Sequence, residues 1–254
     1  MKKAIIGYTG FVGGNIIAQS NFDYSFNTTN ISDIEGRYFD LLVIAAPSAE
    51  KWKANQNPEK DLRKIQNLIS TISSIKAKQV VLISTVDVYE NPKGVDEETI
   101  IDPEQNHAYG KHRFYLENFI RKNFVKHLII RLPGLFGKGL KKNFVFDMLN
   151  SKKSEFTHRD SVFQFYCLDD IWKDIEIALQ NSISLINFAT EPLSVAEICQ
   201  GCFNVDFMNI TPNPPASYDM HTKYASFYGK KGNYLYDKKE IIRQLKDFIE
   251  NYAL

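Results

Sequence analysis

Cysteine is scarce in this chain, with three in 254 residues at Cys167, Cys199 and Cys202. Three thiols cannot make a disulfide framework, and their scarcity suits a reducing compartment. Cys199 and Cys202 form a C-x-x-C, but no second ligand pair accompanies them, so they read as helix thiols and no metal site is expected. Excess charge of either sign is also missing. Thirty-one basic and thirty acidic side chains give a formal net charge of +1 and are mixed along the chain. No nucleic-acid partner and no membrane surface is therefore expected. Nor does any apolar run approach the roughly 18 residues of a membrane span. The first residues lead straight into a strand without a signal-peptide apolar region, which makes a cytoplasmic location the expectation. The five histidines show no metal-ligand spacing.

The segment from Met1 to Gly13 is where the sequence is most specific. An apolar run, Ala4 to Ile6, passes directly into glycines at positions 7, 10 and 13, followed by a helix-like stretch. An unalternated apolar run suits a strand buried on both faces. Glycines between that strand and a helix let a pyrophosphate approach the backbone N–H groups at the helix N-terminus. In this context the spacing points to a dinucleotide, NAD or NADP. The end of the second expected strand, Asn27-Thr-Thr-Asn30, has neither the acid of NAD binders nor the arginine of NADP binders, so the choice between them stays open.

Strand and helix patterns then alternate, which predicts a mostly parallel sheet covered by helices on both faces. Strands are expected at 4–7, 24–27, 41–45, 80–84, 128–132 and 185–188. Helices are expected at 13–19, 59–75, 109–123, 143–149, 168–180, 195–203 and 238–252. About a dozen residues separate the second and third strands, too few for a crossover helix plus a further strand. One βα unit is thus expected to be lost or reduced.

Three further segments carry chemistry. Val80 to Tyr89 reads as a buried strand that ends in Ser84, Thr85 and Asp87, at the strand edge where open α/β sheets hold ligands. His107 to Glu117 reads as a helix with Tyr109 and, four residues on, Arg113 on the same face. Ile129 to Gly137 reads as a strand and a loop shaped by Pro133 and Gly134, followed by the basic run Lys141, Lys142, Asn143.

In order along residues 1 to 200, these segments resemble the extended branch of the short-chain dehydrogenase/reductase superfamily, the NAD-dependent epimerase/dehydratase family. The resemblance implies an α/β fold, a Rossmann-type doubly wound parallel sheet, here shortened, with a small C-terminal lid on the substrate side. It divides the chain into a dinucleotide-binding domain, 1–203, and a lid segment, 204–254, packed on it. The cofactor would lie against Gly7, Thr9, Gly10, Phe11, Val12, Gly13, Ala45, Ala46 and Pro133. Thr85 would bond the reacting oxygen and Tyr109 would exchange its proton. Arg113, standing where the family has lysine, would hold the ribose and tune Tyr109. Arginine supplies a comparable field but is bulkier and forked.

Asp87 is the one acidic residue of the two that the family's dehydratases carry after the threonine. Dehydration needs a donor for the leaving hydroxyl, so reduction or epimerisation is expected instead. Ser84, Lys141, Lys142 and Asn143 are the substrate-binding candidates. Lysines and an amide suit a diphosphate as charge-assisted donors. The implied activity is an NAD(P)-dependent oxidoreductase acting on a nucleotide-linked sugar, as a 4-keto-sugar reductase or an epimerase in surface-polysaccharide synthesis. The alternative is a catalytically impaired dinucleotide- or nucleotide-sugar-binding protein, acting as a sensor or enzyme partner. The family also dimerises through two helices, one of them the Tyr109 helix, so a homodimer is admitted.

Overall fold

The computed structural model describes residues 1–151 and 154–252. The last two residues of the expected lid segment therefore lie outside the described residues. The chain divides into two compact units. One comprises Met1–Asn91, Thr99–Arg131 and Ile171–Ile186; the other comprises Pro92–Glu98, Leu132–Asp170 and Asn187–Leu254.

The first unit is built on six strands: β1 (Lys3–Ile6), β2 (Tyr24–Phe26), β3 (Tyr38–Ile44), β4 (Lys76–Thr85), β5 (His127–Leu132) and β6 (Leu185–Asn187). They form one sheet in the order β6-β5-β4-β3-β1-β2. The pairings of β1 with β2, β1 with β3 and β3 with β4 are parallel, and Ala4 lies between Tyr24 and Leu42. All six expected strands are present, shifted by at most a few residues at their ends. The segment between β2 and β3 makes only a short 3-10 turn, Ile31–Ile34. The crossover expected to be reduced has indeed shrunk to one turn, and β3 pairs directly with β1.

Helices α1 (Phe11–Gln19), α2 (Lys51–Gln56), α3 (Pro58–Ser73), α4 (Ala108–Asn123) and α5 (Ile171–Gln180) accompany the sheet. Pro58 at the first position pre-sets φ for α3 and gives up an N–H that had no intrahelical partner. Asp61, Ile65, Leu68 and Ile72 then fall on one buried face at spacings of four, three and four. On α4, Tyr109, His112, Arg113, Leu116, Glu117 and Ile120 are buried in the same pattern. Leu116, Ile120 and Phe124 join Ile65, Leu68 and Ile72 in one core with Leu42, Ile44, Val80 and Leu82 of the central strands. Each such side chain, fully buried, stabilises the fold by about 1.5–3 kcal/mol before entropy is counted. Among the described residues no helix is long and apolar enough to cross a membrane.

The second unit is held by short pairings. Leu193–Ser194 runs antiparallel to Val162–Phe163, Gly134–Phe136 parallel to Phe165–Cys167, and Asp219–Met220 parallel to Lys93–Val95. The buried amide of Gln164 accepts from Met220 N–H at 2.7 Å and donates to its carbonyl at 2.8 Å. The boundary expected after residue 203 falls inside this unit, because segments on both sides of it pair with residues 162–167. The tyrosines of the lid segment pack as well as bond. Tyr218 stacks on Phe163 at 6.2 Å, Tyr236 meets Tyr166 edge-on, and Tyr234 donates to Asp219 at 2.6 Å. Cys199 and Cys202 lie on a π-turn, Cys199–Phe203, and burial pushes both thiols up to about 11.

Candidate active site

The glycine turn has the geometry its spacing implies. Gly7 has φ of +88°, which L side chains rarely adopt. A Cβ on Gly13 would lie 2.2 Å from the Gly7 carbonyl oxygen, so any larger residue would force the helix off the strand. Gly10 N–H donates to the Gly7 carbonyl at 3.0 Å, and Gly14 N–H to that of Gly10 at 2.8 Å. Gly10 opens α1 without a side-chain cap, and the first turn carries no acid. A nine-residue helix that presents its N–H groups past Cβ-free backbone suits an anionic pyrophosphate. Thr9, Phe11 and Val12 line this turn, and Ala45 and Ala46 follow β3, where Ala45 N–H bonds the Ile6 carbonyl at 2.9 Å. At the end of β2, Asn27 and Asn30 close a tight turn. Asn27 N–H donates to Asn30 Oδ1, and Thr29 N–H to Asn27 Oδ1, both at 2.8 Å.

Thr85 ends β4, and the chain turns through Val86–Val88. Its hydroxyl accepts from Asp87 N–H at 3.2 Å and lies near enough to the Tyr109 phenol to favour its ionised form. The structure thus brings together the two residues that the sequence pairs across 24 positions. Gly110 permits the approach: a Cβ there would sit 2.0 Å from the Asp87 carbonyl oxygen. Asn106 bridges the same turn, donating to the carbonyls of Asp87 and Val88 at 2.9 and 2.8 Å. Asn55 of α2 accepts from Tyr109 N–H at 3.0 Å, and His107 Nδ1 caps α4 by accepting from Gly110 N–H.

Tyr109 is buried, and its phenol is pushed up to about 12. Burial is the largest cause and the Asp87 charge adds to it. Arg113, then Thr85 and least of all Lys51 act in the opposite direction. Arg113 lies with its guanidinium carbon 4.1 Å from the Tyr109 ring centroid. Its Nη1 pairs with Asp61 and its Nη2 donates to the Ser48 carbonyl at 3.1 Å. The other Asp61 partner is His112, at 2.8 Å. Arg113 therefore sits on the ring face with two of its nitrogens engaged by protein, and only the tuning half of its expected role has a geometric basis here.

Ser84, the second candidate at the strand end, donates instead to buried Glu117 at 2.6 Å. Glu117 also accepts from Arg131 at 3.1 and 2.7 Å and from Arg121 at 2.8 Å. Arg131 in turn donates to the Tyr89 hydroxyl at 2.7 Å. Ser84 thus belongs to a buried polar network joining β4, β5 and α4, a placement that favours packing over substrate contact. Pro133, Lys141, Lys142 and Asn143 lie in the second unit. Pro133 is buried and both lysines are exposed. Asn143, with φ of 123°, caps Phe144–Leu149 by accepting from Phe146 N–H at 3.1 Å and donates to the Leu135 carbonyl at 2.7 Å.

Several residues of this centre went unread in the sequence. Lys51 of α2 holds Asp87 at 2.6 Å, and Asp61, Asn55, Asn106 and Gly110 complete the surroundings. The signals available were Pro58, which marks a helix start just after Asn55, and the glycine that follows the tyrosine.

A family model described as the RmlD substrate binding domain matches residues 5–162, more than half of the chain. The chain belongs to this family. Solved structures that share the fold include a dTDP-4-dehydrorhamnose reductase from Clostridium acetobutylicum, 18% identical with a TM-score of 0.76 over 100% of both chains. A dTDP-4-dehydrorhamnose reductase from Bacillus anthracis, in complex with NADP, is 18% identical with a TM-score of 0.73 over 99% of this chain and 100% of its own. A UDP-glucose 4-epimerase with UDP-glucose from Thermotoga maritima is 16% identical with a TM-score of 0.74, covering 100% and 99%. No curated protein matches the sequence. Membership in the RmlD substrate binding domain family accounts for the order of the motifs, and the structural likeness accounts for the shared sheet.

Proposed function

We propose that this protein is an NAD(P)-dependent oxidoreductase that reduces or epimerises a nucleotide-linked sugar at its 4-position. The observation that carries the reading is the placement of Thr85, at the end of β4, beside the buried Tyr109 of α4, in the same unit as the Gly7–Gly13 turn. The backbone of Gly7, Gly10 and Gly13 and the first turn of α1 would hold the cofactor, with Thr9, Phe11, Val12, Ala45 and Ala46 around it. A nicotinamide cofactor supplies or removes hydride at the sugar carbon. The protein's own residues handle the proton. Thr85 orients the sugar oxygen with its hydroxyl. In reduction the Tyr109 O–H bond breaks, the proton forms the new sugar O–H, and the phenolate is left beside Arg113. Lys141, Lys142 and Asn143 are the proposed diphosphate contacts.

The family relation and the neighbours solved with NADP and UDP-glucose support this substrate class. The reading extends to a role in surface-polysaccharide synthesis, to the cytoplasm and to a homodimer through α4. A second reading, a nucleotide-sugar-binding protein without turnover, is favoured by the commitment of Arg113 to Asp61 and Ser48. Tyr109→Phe decides between them. With a 4-keto-sugar nucleotide and NADPH or NADH, it should lose at least the roughly 100-fold typical of a general acid. Equal rates for Tyr109→Phe and the unaltered protein would remove the oxidoreductase.

A further inference from the structure

Charged and titratable groups reach Tyr109 from every element packed on α4. Its own helix contributes Arg113 over the ring, while the ring of the capping His107 lies 6.4 Å away. From α3 comes Asp61, which pairs with Arg113 and His112. The end of β4 contributes Ser84, bonded to Glu117 of α4, and Thr85. The turn beyond it contributes Asp87, and α2 contributes Lys51.

These charges differ in what surrounds them. The Arg113 and Asp61 side chains are 7% and 9% exposed and face each other, so at any distance they act as a dipole rather than as a free cation. Asp87 is different. Its carboxylate accepts from the Thr85 hydroxyl at 3.4 Å, and its charge raises the Tyr109 phenol. An uncompensated anion there would repel the negative charge that develops on the phenolate. Lys51 Nζ lies 2.6 Å from Asp87 Oδ1, with 41% of its own side chain exposed.

We propose that Lys51 is a positioning residue of this site: its ammonium fixes and neutralises the Asp87 carboxylate, leaving Thr85 and Tyr109 a common uncharged edge for the reacting oxygen. Part of the task that falls, by family resemblance, to a lysine four residues after the tyrosine is thereby shared with a different helix. Arg113 is left to brace the ring. This inference rests on Tyr109 being the proton donor. Lys51 acts through Asp87, and the pair adjusts a phenol whose proton affinity is set first by burial and by Arg113.

His107 reports on the pair without any ligand or turnover. Its pKa is lowered by burial first and then by Lys51, with Asp87 opposing. The experiment is an NMR titration of the His107 ring, assigned with His107→Gln, in the unaltered protein, Lys51→Met, Lys51→Arg and Asp87→Asn. Circular dichroism first confirms that each variant is folded. Lys51→Met should raise the His107 pKa, Asp87→Asn should lower it, and Lys51→Arg should restore it. A His107 titration indifferent to Lys51→Met overturns the inference.

The pH profile of sugar-nucleotide reduction gives the second readout. Lys51→Met should lower kcat by about two- to threefold, less than the tenfold of one whole unit of proton affinity, and move the alkaline limb to higher pH. Lys51→Arg should recover both. A profile unchanged by Lys51→Met also overturns the inference, because a merely structural lysine would leave the limb in place. If the unaltered protein shows no turnover, the proposed function fails and the positioning role falls with it, whereas a His107 titration that answers to Lys51→Met in an active enzyme with an unchanged limb overturns the role alone.

Discussion

The guanidinium of Arg113 covers the ring of Tyr109 at 4.1 Å while its nitrogens are engaged by Asp61 and the Ser48 carbonyl. The cation expected to hold the ribose and tune Tyr109 lies on the face of its ring, where it still favours the ionised phenol. The arrangement explains how arginine is accommodated where lysine is usual: separate nitrogens of its planar fork bond Asp61 and the Ser48 carbonyl.

Arg113→Ala should be costly for folding, because it leaves Asp61 buried with His112 as its remaining ion-pair partner. Breaking one side of a buried pair commonly costs about 3–5 kcal/mol, and urea denaturation would register it. Arg113→Lys keeps the charge but not both contacts, so an intermediate loss is expected and turnover should not rise. A gain in turnover with Arg113→Lys would mean that the position serves the ribose after all.

Alkaline pH should destabilise the protein in a window set by its buried acids. Tyr109 is raised from 10 to about 12, and Cys167, mainly by burial, from 9 to about 12. Below about pH 8 both groups are essentially protonated in the folded and the unfolded chain and contribute no slope. Between pH 9 and 12 the unfolded chain binds fewer protons than the folded one, so stability falls as pH rises. Tyr109→Phe should remove about 2–3 kcal/mol of the fall between pH 10 and 12, at 1.36 kcal/mol per unit. Parallel stability curves for the variant and the unaltered protein across that range would contradict the burial of the phenol.

The sheet was legible because each of its strands is an apolar run without alternation, as at Leu41 to Ile44 and Val80 to Leu82. Thr85 and Tyr109 could be paired because each stands in a motif with a fixed place on a strand or helix. Asp61 could not be assigned to Arg113, because 52 positions separate them and an acid in the first turn of a helix is ordinary. Helix α2 escaped notice because six residues with one buried side chain, Ala54, produce no periodicity, and Lys51 went with it. The two- and three-residue pairings of the second unit are likewise too short to leave an alternating pattern. Their partners, such as Val162 and Ser217, meet only through the fold.

The central claim is that the Gly7–Gly13 turn seats a nicotinamide dinucleotide. It is tested most directly by titrating the purified protein with NADH and NADPH, followed by nucleotide fluorescence, alongside Gly13→Val. The account predicts saturable binding of at least one of the two, abolished in a folded Gly13→Val because the added Cβ would strike the Gly7 carbonyl. Absence of binding by either nucleotide, or equal binding by Gly13→Val, would contradict it.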